Sequence, residues 1–276
     1  MTAIANPRQA QAWNGSVGLH WAAHTARYDR LISGVDEALF GAADIAAGDR
    51  VLDVGCGAGA TTRSAARLAK DGHVVGVDIS APLLERARES TVAEGIANAA
   101  YELAEAQLHP FPDAGYDNVI SRGGVMFFAD HAEAFRNLWR ALRPGGRLTF
   151  ICPQPSGPQW EESRALYLFS QLVNGPDESG DSDTVVATTA MASLSDPDRI
   201  REVLDGYDDV TVTPVTIETE WGRDARDAVD FLLSRSPDTV VGPQKRAELE
   251  DALRPYTRPN GVRMRAGVWL VSAVRP

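Results

Sequence analysis

A short apolar strand, Val51-Leu52-Asp53-Val54, runs into Gly55-Cys56-Gly57-Ala58-Gly59, and 19 residues after Gly59 an acidic residue, Asp78, closes a second apolar run, Val74-Val75-Gly76-Val77. Val51, Leu52 and Val54 supply the bulky, largely β-branched side chains of a buried strand. Three glycines in five residues then free the backbone where that strand stops. They permit positive φ and let the main chain approach a ligand. In a parallel βαβ unit the ends of neighbouring strands lie side by side, so the glycine turn and Asp78 border one crevice. A carboxylate there can accept hydrogen bonds from two vicinal hydroxyls, as on a ribose. The pattern predicts a site for a nucleoside-containing cofactor.

A glycine-rich strand–helix turn does not choose the cofactor. Gly55, Gly57 and Ala60 fit the G-x-G-x-x-(G/A) pattern of dinucleotide-binding folds, so an NAD-dependent oxidoreductase is one alternative. Three details point elsewhere. Asp53 stands two residues before Gly55, where it would repel a pyrophosphate but attract an ammonium or sulfonium. Gly59 extends the pattern to D-x-G-x-G-x-G, and Ala60-Thr61-Thr62 opens a helix. Arg143-Pro144-Gly145-Gly146-Arg147 precedes another apolar strand, Leu148 to Cys152.

The segment from about Arg50 to Cys152 resembles the class I S-adenosylmethionine-dependent methyltransferases. It is most similar to the small-molecule group that includes ubiquinone/menaquinone-biosynthesis and natural-product tailoring enzymes. VLDVGCGAG resembles that family's first motif and VVGVDIS its second. AEAQLHPFPDAGYDNVISRGGVMFF is similar to the adenine contact and fourth strand, and LWRALRPGGRLTFIC to the helix, turn and fifth strand. The tail GVRMRAGVWLVSAVRP is similar to the closing strand. The resemblance implies a doubly wound, Rossmann-like α/β sheet of seven strands with an α-helical cap, and S-adenosylmethionine as cofactor. Asp53, Gly55, Gly57 and Gly59 would bed the methionine part, Asp78 would clamp the ribose, and Ile79 would pack on the adenine. Glu105 stands where the family usually has Asp, one methylene shorter. Ala106 and Gln107 follow it, and the Ala106 amide is placed to serve the ring. The backbone of Ser121, at the end of the fourth strand, would face the cofactor. Arg122 beside it could instead pair with a carboxylate.

Composition limits the partners. The net charge of −11 argues against a nucleic-acid substrate, which needs a basic patch. No apolar run approaches the ~18 residues of a membrane span, and residues 1–11 lack the apolar core of a secretory signal. Cys56 and Cys152 have no Cys or His neighbours at metal-ligand spacing. They read as buried, reduced thiols of a cytoplasmic protein, with no metal site.

Four segments are expected along the 276 residues: a helical cap over 1–47, the cofactor-binding core over 48–152, a helical insertion over 153–208, and strands and helices completing the sheet over 209–276. Residues 1–12 read as loosely attached, and Trp13 to Gly18 as a turn. Trp21, His24, Tyr28, Leu31 and Ile32 give one amphipathic helix from Leu19 to about Gly34. Asn174 to Thr184 reads as a mobile acidic loop. Val210/Val212 and Val215/Ile217 alternate in opposite parity, which predicts a bulge at Pro214 in an edge strand. The last strand, Ala266 to Val274, would run antiparallel if the resemblance holds.

No catalytic residue follows from the sequence. His20, His24, His109 and His131 are the candidate bases. His20 and His24 stand out because they share a helix face at i, i+4 and because the resembled enzymes close N-terminal helices over the site. Trp13, Trp21, Trp160, Phe169 and Trp221 either line an apolar acceptor pocket or fill the packing under the cap. The expectation is methyl transfer to carbon or oxygen of a small apolar or aromatic metabolite. Alternatives are other chemistry on bound S-adenosylmethionine and hydride transfer with NAD. The sequence leaves homo-oligomerisation open.

Overall fold

In the computed structural model the described residues are 4–174, 189–236 and 239–276. The first strand, β1 (Arg50–Val54), is followed by β2 (His73–Asp78), β3 (Ala99–Leu103), β4 (Tyr116–Arg122) and β5 (Leu142–Pro153). Later come β6 (Asp208–Gly222), the two-residue β7 (Thr257–Arg258) and β8 (Gly261–Val274). They form one sheet in the order β3-β2-β1-β4-β5-β8-β6, with β7 paired to β8. The pairings among β1 to β5 are parallel, whereas β8 runs antiparallel to β5 and β6. The order reverses at β1, between β2 and β4, which is where a doubly wound sheet opens its crevice.

Alternating residues of a strand point to opposite faces. Leu52 joins a cluster with Phe135 and Leu138, from the helix between β4 and β5, whereas Val51 packs with Ala65 and Ala66 from the helix between β1 and β2. Both faces of the parallel half are therefore covered, as its nearly continuous apolar strands require.

Eleven α-helices lie within the described residues: α1 (Pro7–Asn14), α2 (Ser16–Ala23), α3 (Thr25–Ile32), α4 (Asp36–Ala43), α5 (Ala60–Leu68), α6 (Ala81–Ala93), α7 (His131–Ala141), α8 (Glu161–Asn174), α9 (Pro197–Val203), α10 (Ala225–Ser234) and α11 (Pro243–Leu253). Residues of α3, α8, α10 and α11 join Trp221, Val262 and Met264 in a separate apolar cluster at the far end of β6 and β8. No helix is long and apolar enough to cross a membrane, among the described residues.

Three sequence expectations change. Residues 7–14 are helical rather than loose: Asn6 caps α1 by accepting the Gln9 amide, and Pro7 sits in the first turn. The single helix expected over Leu19–Gly34 is two helices broken at His24. There the ring Nδ1 hydrogen-bonds the His20 carbonyl at 2.8 Å, while the His24 amide turns to Trp21 O instead. A side chain has taken the partner that the helix would have used. The bulge expected at Pro214 is absent, since Thr213, Pro214 and Val215 pair in unbroken register with Leu270, Trp269 and Val268. The parity switches because the covered face switches. Val210 and Val212 pack toward Leu204 and Tyr207 in the first cluster, whereas Val215 and Ile217 pack toward Leu39 under α4. Pro214 is tolerated because β6 is an edge strand. The acidic loop expected from Asn174 to Thr184 lies outside the described residues, apart from Asn174, the last residue of α8.

Candidate cofactor site at the switch point

Register brings the motif together. Val54 pairs with Val77, so the chain leaves β1 beside the end of β2. The Gly55 and Cys56 amides both bond Val77 O, at 2.9 and 3.1 Å. The Gly57 amide donates to Asp78 Oδ2 at 2.8 Å, and the Ser80 amide to Oδ1 at 2.8 Å. The glycine turn and Asp78 are thus one hydrogen-bonded unit. Asp78 is half-buried. Burial pushes its carboxyl above the usual range, and the amides of Ser80, Gly57 and Ile79 pull the other way.

The three glycines do different jobs. A Cβ at Gly55 would come within 2.6 Å of Gly124 Cα, and one at Gly59 within 2.4 Å of Tyr101 Oη. Those two positions are closed by the protein's own packing. A Cβ at Gly57 would meet no atom within 4 Å. All three have positive φ (+67°, +53° and +79°), the left-handed region in which a Cβ is costly. Only Gly57 has open space beside it, so there the bare backbone faces a volume that a ligand can fill.

Asp53 lies behind the turn and is wholly buried. Thr62 Oγ1 donates to its Oδ2 at 2.6 Å, while Oδ1 has no hydrogen-bond partner. Desolvation pushes its pKa up to about 7, against the Thr62 hydrogen bond and the charge of Arg122. The sequence assigns Asp53 to the bed of the cofactor's methionine part; in the structure its side chain is enclosed behind the turn.

The residues expected on the adenine side lie next to the end of β2. The Ala104 amide bonds Asp78 O at 3.0 Å, which carries residues 104–107 to the same edge. Glu105 is 7% exposed; its Oε1 accepts the Gln107 amide at 3.2 Å and its Oε2 is buried without a hydrogen-bond partner. Burial raises its pKa, partly offset by the Gln107, Ala5 and Leu108 amides. Ala106 gives its carbonyl to Asn137 Nδ2 at 3.0 Å. The Gln107 side chain bonds Glu133 Oε2 at 2.6 Å and accepts the Ala129 and Asp130 amides, so it anchors the start of α7. The Ser121 hydroxyl donates to Val54 O at 2.7 Å and accepts the Gly124 amide at 3.1 Å. It stitches β4 to the turn. Arg122 pairs with Asp29 and Asp36, both at 2.9 Å, so its side chain ties the sheet to α3 and α4.

Residues that sequence reasoning missed come from the N-terminal helices. Asn14 Nδ2 donates to Ile79 O at 2.9 Å and its Oδ1 accepts the Ala81 amide at 3.0 Å. Ser80 Oγ donates to Trp13 O at 2.6 Å. Trp13 makes edge contacts with Phe127 and Trp21 at 5.3 and 5.4 Å between ring centres. The segment read as a turn is therefore the strap that covers the loop after Asp78. Its signal in the sequence was Asn6-Pro7, a helix start.

Each candidate base contacts another part of the protein, and the buried His109 Nδ1 has no hydrogen-bond partner among the described residues. His20 is half-buried, with Nδ1 at 3.1 Å from Tyr28 Oη and Nε2 at 2.9 Å from Ser234 Oγ. Desolvation, then His24 and Arg235, push its pKa down to about 4. His131 is 8% exposed, 3.3 Å from Ser193 Oγ, and His109 pairs with Glu102 at 3.4 Å. His24 is spent on His20 O as described. Trp221, Trp21 and Phe169 belong to the apolar cluster of the cap. A Cβ at Gly267 would strike the Trp160 ring, so that indole packs directly on β8.

Comparisons with known proteins bear on the family and the fold. Residues 51–146 match the family described as "Methyltransferase domain". The chain is 31% identical over 200 residues to the arsenite methyltransferase of Halobacterium salinarum, covering 70% of this chain and 46% of that protein. It is 38% identical over 128 residues to the ubiquinone/menaquinone biosynthesis C-methyltransferase of Teredinibacter turnerae, covering 45% and 51%. The chain thus spans about half the length of the curated relatives it matches. Among solved structures, a Haemonchus contortus phosphoethanolamine N-methyltransferase in complex with S-adenosyl-L-methionine aligns with TM-score 0.61 at 18% identity, covering 98% of this chain and 60% of that one. At that identity the likeness speaks for the fold.

Proposed function

We propose that this protein, a member of the class I S-adenosylmethionine-dependent methyltransferases, binds S-adenosylmethionine at the switch point and methylates carbon or oxygen of a small apolar or aromatic metabolite. One observation carries the reading. The Gly57 backbone faces open space while its amide is held by Asp78, so a bare main chain and a half-buried carboxylate border one volume. The residues suit the cofactor's parts. Asp78 has lone pairs left beyond its two amide bonds for the ribose hydroxyls. The half-buried Ile79 offers an apolar surface for the adenine. Asp53 places a carboxyl behind the turn, and Glu105 brings a buried, unpartnered Oε2 to the adenine side.

When bound, this cofactor supplies an electrophilic methyl group on a sulfonium. The chain's part is positioning, worth on the order of 7–11 kcal/mol when reacting atoms are held in line. The strap of residues 6–24, pinned by Asn14 and Ser80, excludes water from the crevice mouth. His20 has both ring nitrogens in hydrogen bonds within the cap, which suits an acceptor needing little deprotonation. Hydride transfer with NAD is disfavoured because the matching family and the relatives named above are methyltransferases. Residues 1–47 and 153–208 form the cap in this reading, 48–152 the cofactor core and 209–276 the completing part of the sheet. The acceptor is a small molecule rather than a nucleic acid, as the acidic chain suggests, and the two buried free thiols suit a cytoplasmic setting. A homo-oligomer is compatible with this reading.

Calorimetric titration with S-adenosylhomocysteine and, separately, with NADH tests the assignment. Micromolar binding of the homocysteine compound alone is the expected result. Binding of NADH alone would overturn it.

A further inference from the structure

The glycine turn is held from behind by side chains that the cofactor assignment does not use. Arg63, on α5, is 8% exposed, and its Nη1 donates to Ala58 O at 2.8 Å. Its backbone amide donates to Gly59 O at 2.9 Å, so one residue holds two successive carbonyls of the turn. Its Nε lies 2.8 Å from Glu94 Oε1, an ion pair in which the carboxylate stands off the N–H direction. Glu94, just past the end of α6, also pairs with Arg67, one turn along α5. A buried guanidinium matched by a carboxylate and a carbonyl is a fixed anchor rather than a solvated surface charge.

Tyr101, on β3, closes the same side. Thr91 Oγ1 donates to Ala87 O at 2.7 Å, so in its 2.7 Å contact with Tyr101 Oη the phenol is the donor. That bond sets the phenol oxygen against Gly59, where an added Cβ would strike it.

These anchors define the middle of the turn. The peptide joining Cys56 to Gly57 is fixed at the front, through the Gly57 amide on Asp78. The peptide joining Ala58 to Gly59 is fixed at the back, through Ala58 O on Arg63 and the Gly59 amide on Cys56 O at 2.9 Å. Because peptide units are planar, fixing both neighbours leaves the Gly57–Ala58 peptide few orientations. That peptide begins at Gly57, the glycine of this turn with open space beside it. Without Arg63, the Ala58–Gly59 peptide would be freer to rotate, since glycine accepts either sign of φ.

We propose that Arg63 is a positioning residue for the cofactor: by pinning the Ala58 carbonyl it holds the Gly57–Ala58 peptide in the orientation that receives the amino-acid end of S-adenosylmethionine. This rests on the cofactor placement in the methyl-transfer reading and adds to it a residue that acts through the turn. Glu94 balances the charge of the anchor, and Tyr101 braces Gly59 next to it.

The test compares two ligands on the full chain by calorimetry, titrated directly or in competition. S-adenosylhomocysteine carries the amino-acid end; 5′-methylthioadenosine has the nucleoside and the sulfur without it. Wild type is expected to prefer S-adenosylhomocysteine by about tenfold or more. Arg63→Met keeps an unbranched stem and loses the fork. It should weaken S-adenosylhomocysteine by about tenfold, the lower range for a hydrogen bond to a charged group. Its affinity for methylthioadenosine should stay within about twofold of wild type, which also shows that the variant is folded. Arg63→Lys keeps a charged donor and should recover part of the loss. Unchanged S-adenosylhomocysteine binding in Arg63→Met overturns the inference. An equal loss for both ligands overturns it too, because Arg63 would then support the fold and not the bed. If Arg63→Met binds neither ligand, Arg63→Lys decides: weakened S-adenosylhomocysteine with normal methylthioadenosine supports the inference, and parallel binding of the two overturns it. Wild type binding both ligands alike would take the amino-acid end off the turn and end the inference. All these outcomes leave the methyltransferase reading standing, whereas failure of wild type to bind S-adenosylhomocysteine would sink both.

Discussion

The crevice and the cap are built by different means. At the crevice the backbone does most of the work: positive-φ glycines, amides on Asp78, and a register that sets Val54 against Val77. Its parts lie within 28 residues of one another, from Arg50 to Asp78. In the cap the polar groups are side chains drawn from α2, α3, α8, β6 and α10, up to 214 residues apart where His20 meets Ser234. A backbone-built site can tolerate change around it as long as the turn survives. A side-chain-built site can be retuned residue by residue, which suits the part that meets the acceptor. The two regions should therefore respond to mutation in separable ways.

The largest effect is expected where the turn meets its own packing. Gly55→Ala forces a Cβ to within 2.6 Å of Gly124 Cα at a positive φ, and neither atom is the end of a flexible side chain. A loss of about 3 kcal/mol or more in urea unfolding is expected, combining overpacking with left-handed strain. Gly57→Ala meets no atom within 4 Å and should cost only about 1–2 kcal/mol of strain. It should nevertheless lose most of the S-adenosylhomocysteine affinity in calorimetry. If both variants lose stability equally, the division of labour among the glycines is wrong.

Next in size is Asp78→Ala. It removes the acceptor of the Gly57 and Ser80 amides and of the proposed ribose bonds. Affinity for S-adenosylhomocysteine should fall by about 100-fold, the upper range for hydrogen bonds to a charged group. An unchanged dissociation constant would remove Asp78 from the site.

This contrast also explains what could be read from the chain. The parallel half of the sheet and the place of Asp78 beside the glycine turn follow from local apolar runs and short spacings, because a parallel βαβ unit brings neighbouring strand ends together; the antiparallel last strand was implied by the family resemblance. The break at His24 was hidden, because it depends on a ring hydrogen bond competing with the backbone for one carbonyl. The false bulge at Pro214 arose from reading one covered face where the strand is covered first on one side and then on the other. Asp53 precedes the turn in the sequence, but its depth is set by Thr62 on the helix that follows, which spacing does not reveal.

Asp53 gives a pH signature of intermediate size. Its folded pKa of about 7 lies above the ordinary 3.8, so the folded state holds the proton more tightly. The resulting stabilisation is fully present below about pH 4 and is lost as pH rises through about 7. Asp53→Asn cannot titrate and should flatten that fall, by on the order of 1–3 kcal/mol between pH 5 and 8 in urea midpoints. Asp78, Glu105 and Glu162 shift in the same direction and contribute to both proteins, so the difference between the two curves is the quantity to measure. Parallel curves would mean that Asp53 titrates normally despite its burial.

The smallest expected effect tests the separation from the cap side. Tyr28→Phe deletes one hydroxyl and leaves the stacked ring against Trp21 in place. The loss is the hydrogen bond to His20 Nδ1, which then sits half-buried without a donor. Stability should drop by about 1 kcal/mol in urea unfolding, the usual net worth of one such bond. Affinity for S-adenosylhomocysteine should stay within about twofold of wild type, because no Tyr28 contact reaches the glycine turn or Asp78. A tenfold loss of that affinity would show that the cap's hydrogen-bond chain shapes the cofactor crevice as well, and the two regions would then have to be treated as one site.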